Sequence, residues 1–137
     1  MKKIFTLSFL LLAAASIHAQ KITVLKSAGE GLGFLGLAIS ENGRYVCGDS
    51  EAGTGFIWDM QTNTTFYDAE KYPEASLERV SDNGVAVGYW GDDAVTFDIN
   101  GTMTKLEAEQ GSPLAKAKYI TPDGKMVVGS IYNESYV

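Results

Sequence analysis

The chain has 137 residues, 45% of them apolar and 20% charged, with 11 basic against 17 acidic side chains and a net charge of −6. That length allows one domain at most. The acidic balance disfavours nucleic acid and anionic membranes as partners, because both carry charge of the same sign.

The first residues read as a targeting segment. Lys2 and Lys3 open it, Ile4 to Ala15 is an apolar run, and Ser16-Ile17-His18-Ala19 is a small-residue exit. This is the three-part pattern of a secretory signal, with cleavage expected between Ala19 and Gln20 or, alternatively, after Ala15. As a membrane anchor the run would reach only ~18 Å in a helix, short of a ~30 Å hydrocarbon core. Residues 1–19 are therefore expected to form a signal helix that is removed, leaving residues 20–137 as an exported domain with no membrane span. The compartment expected is the periplasm, the outer surface or the medium. Cleavage takes Lys2, Lys3 and the only histidine, His18, so 9 of the 11 basic residues remain and the net charge falls to −8. One cysteine, Cys47, cannot make an internal disulfide and reads as a small buried apolar residue.

Internal similarity is the strongest signal in the chain. Residues 38–48 read AISENGRYVCG, residues 79–88 RVSDNGVAVG and residues 119–129 YITPDGKMVVG, with Gly43, Gly84 and Gly124 spaced 41 and 40 residues apart. Asn42-Gly43, Asn83-Gly84 and Asp123-Gly124 tolerate positive φ and are expected to form two-residue hairpin turns. Ser40, Ser81 and Thr121 can hydrogen-bond those turns through their hydroxyls. The strands that follow end at Gly48, Gly88 and Gly129, where a small residue permits close backbone approach. Two further strands follow each of the first two hairpins. Phe56-Ile57-Trp58-Asp59 matches Val95-Thr96-Phe97-Asp98, and Thr65-Phe66-Tyr67 matches Thr104-Lys105-Leu106. Trp58 and Phe97 are thereby expected in the core.

Four short antiparallel strands per ~40 residues is the blade unit of a β-propeller. The expected fold is all-β, a partial β-propeller of about two and a half four-stranded blades, in units of about 21–61, 62–102 and 103–137. Lys21-Ile22-Thr23-Val24-Leu25 would be a leading fourth-type strand. A propeller of this kind closes only with about four or more blades. The chain is accordingly expected to be an N-terminal fragment of a longer protein, the alternatives being an open β-array or self-assembly of several copies into a ring.

These segments resemble the HAF-type extracellular repeats and, more loosely, the propeller repeats of TolB-like proteins; the signal exit followed by such repeats is similar to exported proteins of the Bacteroidetes. The resemblance covers essentially residues 21–137 and implies a fold without an activity. Trp58-Asp59 is the WD dipeptide, but no mature histidine completes the WD-repeat network, and the turns lack the spacing of a sialidase Asp box.

The chemistry follows from what remains. Without a mature histidine, Ser-His-Asp and Cys-His mechanisms and His-ligated metals are excluded within this segment. Gly31-Leu32-Gly33-Phe34-Leu35-Gly36 has the letters of a dinucleotide loop but no following helix. No cofactor is expected. Three loops after the second strand of each unit should line one face. They supply the candidate ligand-binding residues Asp49, Glu51, Tyr89, Trp90, Asp92, Asp93, Tyr132 and Asn133. Aromatic faces beside carboxylates suit a glycan or a cationic protein segment; the plainer reading is that they pack one unit against the next. The expected function is a non-catalytic binding or scaffold module with a glycan or protein partner. The competing expectation is part of a propeller hydrolase or lyase whose catalytic residues lie elsewhere in a longer chain.

Overall fold

The computed structural model describes residues 33–107 and 114–131. The signal segment 1–19, the strand expected at 21–25, and Tyr132 and Asn133 lie outside the described residues. Among the described residues every regular element is a strand and every pairing is antiparallel. No helix there is long and apolar enough to cross a membrane.

The first sheet is the meander β1 (Phe34–Ile39), β2 (Tyr45–Ser50), β3 (Gly55–Asp59) and β4 (Thr64–Tyr67). The second is β5 (Ser76–Val80), β6 (Val85–Trp90), β7 (Asp93–Asp98) and β8 (Met103–Lys105), and the third pairs β9 (Leu114–Ile120) with β10 (Val127–Ile131). The fourth strands β4 and β8 close the first two sheets.

The opening hairpins are longer than the Asn-Gly and Asp-Gly dipeptides suggest. Ser40 N–H bonds Tyr45 O, Ser81 N–H bonds Val85 O and Thr121 N–H bonds Met126 O, so three or four residues lie within each turn. Gly43, Gly84 and Gly124 have φ of 72°, 79° and 75°, whereas Asn42, Asn83 and Asp123 keep negative φ. A two-residue type I′ turn needs positive φ at both positions. The physical reason for the longer turn is the side-chain lasso within it. Tyr45 N–H donates to Ser40 Oγ at 2.9 Å and Arg44 N–H to Asn42 Oδ1 at 2.9 Å; Met126 N–H donates to Thr121 Oγ1 and Lys125 N–H to Asp123 Oδ1, both at 3.1 Å. Hydroxyl and amide or carboxylate take up turn N–H groups that a tighter hairpin would leave to water.

Beyond each turn the ladder slips by one residue. Gly36 pairs Gly48 but Ala38 pairs Cys47; Leu77 pairs Gly88 but Arg79 pairs Val87; Ala117 pairs Gly129 but Tyr119 pairs Val128. Leu37, Glu78 and Lys118 are the extra residues of three β-bulges at corresponding places. The glycines opposite are there because the bulged backbone comes too close for a side chain. A Cβ on Gly48, Gly88 or Gly129 would overlap the carbonyl oxygen of Leu35, Ser76 or Lys116.

The sheets stack face to face in chain order. Tyr45, Cys47 and Ile57 of the first sheet meet Leu77, Val80, Ala86, Val95 and Phe97 of the second. The other face of the second sheet, with Val87 and Ala94, meets Ala117 and Ile120 of the third. Trp58 and Phe97 are both buried, at 6% and 1% exposure. β5 lies beside β1, and β9 beside β5. The opening turns also touch: Asn42 N–H donates to Asp82 Oδ1 at 2.8 Å, and Asp82 N–H to Pro122 O at 2.8 Å.

A second turn type closes β3 onto β4. Asp59 accepts Arg44 in a fork, Nε to Oδ1 at 3.1 Å and Nη2 to Oδ2 at 2.7 Å, and also Gln61 N–H at 2.9 Å. The Arg44 guanidinium holds the Asp59 carboxyl well below the usual carboxylate range. The corresponding Asp98 is opposed by burial, but N–H groups of Thr102 and Asn100 outweigh it and its pKa is also lowered. A carboxyl depressed on folding contributes stability that is present above its unfolded value of about 4 and lost as pH falls through the folded value. The thermal midpoint should therefore drop on acidification below about pH 4, and Asp59→Asn should flatten that acid limb. An acid limb unchanged by Asp59→Asn would show the pair has no part in it.

Candidate functional site

The first two loops singled out by sequence, after β2 and β6, lie at the end of the sheets opposite the opening turns. In the first sheet, Gly53 (φ 72°) lets the chain turn so that Ser50 N–H bonds Thr54 O at 2.8 Å. Glu51 then faces Gly33 reciprocally: Glu51 N–H donates to Gly33 O at 2.9 Å, and Gly33 N–H to Glu51 Oε2 at 3.1 Å. Gly33, Phe34, Leu35, Asp49, Ser50 and Glu51 line an open cleft of about 400 Å³.

Asp49 also reaches the second sheet. Its Oδ2 accepts the Ser76 hydroxyl at 3.0 Å and its Oδ1 accepts Leu77 N–H at 3.2 Å. Ser76 pairs Tyr89 across the ladder. Tyr89 in turn carries the Lys116 ammonium 4.3 Å above its ring centroid. Asp49 and Tyr89 directly follow Gly48 and Gly88, so one register position ties each sheet to the next, by carboxylate in one case and by cation–π attraction in the other.

The remaining candidates are occupied more locally. Trp90 donates its indole N–H to Pro73 O at 3.0 Å and meets Tyr72 edge-on, centroids 5.5 Å apart at 90°. Tyr72 packs edge-on against Phe97 at 4.9 Å, so Trp90 braces the linker between the first two sheets. Asp93 pairs with Lys105 across the sheet. Asp92 is exposed at the tip beside Gly91, whose φ of 59° fits a two-residue turn. The structure thus gathers Asp49 and Glu51 in the cleft, and places Tyr89, Trp90 and Asp93 in contacts that hold strands and sheets. Tyr72 and Lys116 escaped sequence reading. Tyr72 sits in a linker without period, and no pattern announces that Lys116 opposes Tyr89.

Burial pushes the Cys47 thiol up to about 12, so it carries no thiolate near neutrality. Among the described residues no three His, Cys, Asp or Glu side chains group as a metal site. No protein-family model, curated protein or solved structure matches the chain. The described residues define an all-β protein of antiparallel sheets of four, four and two strands.

Proposed function

We propose that this chain is an exported, non-catalytic repeat module of the β-propeller type, serving as a binding or scaffold element for a glycan or protein partner. The observation that carries the reading is the recurrence of one unit: turn, bulge, glycine and inter-sheet tie fall at corresponding positions, and the first strands β1, β5 and β9 lie side by side. This supports the propeller reading, in which the innermost strands of successive blades gather near an axis. Export rests on the pattern of residues 1–19. The non-catalytic reading rests on where the acidic and aromatic side chains are used: Asp49, Tyr89, Trp90 and Asp93 hold structure.

The cleft of Phe34, Leu35, Asp49, Ser50 and Glu51 is the place for a ligand. It offers the apolar side chains of Phe34 and Leu35 beside the Glu51 carboxylate, which fits a sugar ring or a cationic side chain. Glycan and peptide arrays should retain a ligand whose affinity falls about tenfold, equivalent to about 1.4 kcal/mol, in Glu51→Gln or Leu35→Ala. Arrays that stay blank, or binding indifferent to both substitutions, would end the proposal.

A further inference from the structure

The chain holds three Asn-Gly dipeptides, Asn42-Gly43, Asn83-Gly84 and Asn100-Gly101, and the fold treats their side-chain amides differently. All three asparagines are exposed. Each glycine N–H closes its turn: Gly43 on Ser40 O at 2.9 Å, Gly84 on Ser81 O at 3.1 Å and Gly101 on Asp98 O at 2.9 Å. The backbone is thus tied alike, and the difference lies in the amides. Asn42 is held at both ends. Its Oδ1 accepts the Ser40 hydroxyl at 2.8 Å and Arg44 N–H at 2.9 Å, and its Nδ2 donates to Asp82 O at 3.1 Å. Asn83 Oδ1 accepts the Ser81 hydroxyl, and its Nδ2 packs against Gly124, where a Cβ would lie 2.8 Å away. Two positions before Asn100 stands Asp98 in place of a serine. Its Oδ1 accepts the N–H groups of Asn100 and Thr102, both at 2.9 Å. A carboxylate donates nothing, so Asp98 can hold only Nδ2 of the Asn100 amide, and among the described residues Asn100 Oδ1 has no donor.

We propose that Asn100 is a site of spontaneous deamidation, ahead of Asn83 and well ahead of Asn42, and that its isoaspartate product loosens the joint between the first two sheets. The Gly101 nitrogen, its proton given to hydroxide, attacks Asn100 Cγ, and glycine has no Cβ to block the approach. The new C–N bond forms as the Cγ–Nδ2 bond breaks; Nδ2 takes a proton from water and leaves as ammonia. The five-membered succinimide that results is opened by water at one of its two carbonyls. One opening gives aspartate; the other frees the α-carboxylate and leaves the chain running through Cβ and Cγ as isoaspartate. Overall one water enters and one ammonia leaves, with no oxidation or reduction. Isoaspartate puts an extra methylene into the backbone beside Gly101. That glycine lies so close to the Phe66 ring of the first sheet that a Cβ would overlap it, and its carbonyl accepts the Tyr72 hydroxyl at 3.4 Å.

Peptide mapping by mass spectrometry of the full chain, aged at mildly alkaline pH, follows the exchange of amide for hydroxyl at each asparagine. In the folded chain conversion should be at least about tenfold faster at Asn100 than at Asn42, equivalent to about 1.4 kcal/mol of barrier, with Asn83 between. In denaturant, where the side-chain hydrogen bonds are gone, the three rates should converge. The aged chain should also melt below an equally aged Asn100→Gln variant, whose longer side chain closes its ring far more slowly and whose exposed position leaves the fold intact. Equal rates in the folded chain, or Asn42 in the lead, overturn the proposal. So does a ranking that persists in denaturant, which would assign it to local sequence, and so does an aged wild type that melts like the aged Asn100→Gln variant.

Discussion

Replacing Gly88 by alanine should break the second sheet at its bulge and cost more than about 3 kcal/mol in chemical denaturation. The added Cβ would overlap the Ser76 carbonyl oxygen and stand 2.8 Å from the carbonyl carbon and 3.0 Å from Leu77 Cα. All three atoms are backbone, so no rotamer change can make room. The only relief is to move β5, and β5 carries the contacts of Leu77 and Val80 with the first sheet. Gly36→Ala is the matched comparison. It lies on the same kind of ladder, yet its nearest neighbour would be Val46 Cγ1 at 3.5 Å, an ordinary contact. Its effect should stay within about 0.5 kcal/mol. Equal costs for the two would show that glycine's backbone freedom, and not the close approach of the bulge, explains the residue.

Phe97→Ala should cost about 3–5 kcal/mol, the range for emptying a buried aromatic site. Phe97 is 1% exposed, stacked 6.0 Å from Phe66 of the first sheet and edge-on to Tyr72 of the linker. One ring therefore touches two sheets and their connection, and the space left by its removal cannot be filled by a single neighbour. Because a small domain has only about 5–15 kcal/mol in total, a loss of this size should be visible as a large fall in the thermal midpoint. A change within about 0.5 kcal/mol would mean that the first and second sheets do not depend on this contact.

Much of this fold is written locally and can be read without coordinates. Ser40, Asn42 and Gly43 announce a turn because their hydrogen-bonding groups act within a few residues, and the structure uses those very groups. Trp58 and Phe97 announce a core because large aromatics recur at matched places between strand-like residues. The bulges were hidden because an extra residue leaves no mark on a stretch as short as Leu35–Ile39; only its partner strand reveals the slip. The turn type was misread because the Asn-Gly and Asp-Gly dipeptides speak for two residues, while the hydroxyl three positions before the glycine decides for a longer loop.

The candidate site was legible in place and illegible in role. The residues after Gly48 and Gly88 do lie toward the same end of the sheets. Whether Asp49 meets a ligand or a neighbour depends on Ser76, 27 residues away in sequence, and nothing in either segment records that approach. The same holds for Tyr89 and Lys116. Contacts between sheets are set by how faces seat on one another, which local patterns do not encode.

The bulges carry one more implication. An extra residue has no ladder partner, so its side chain is relieved of the demands of the sheet, and Leu37, Glu78 and Lys118 share no chemistry. Lys118 Nζ lies 2.5 Å from Glu78 Oε1, joining two of these unconstrained positions. The pair bridges the bulge of the second sheet to the bulge of the third, and as a partly exposed ion pair it adds at most about 1 kcal/mol to their contact.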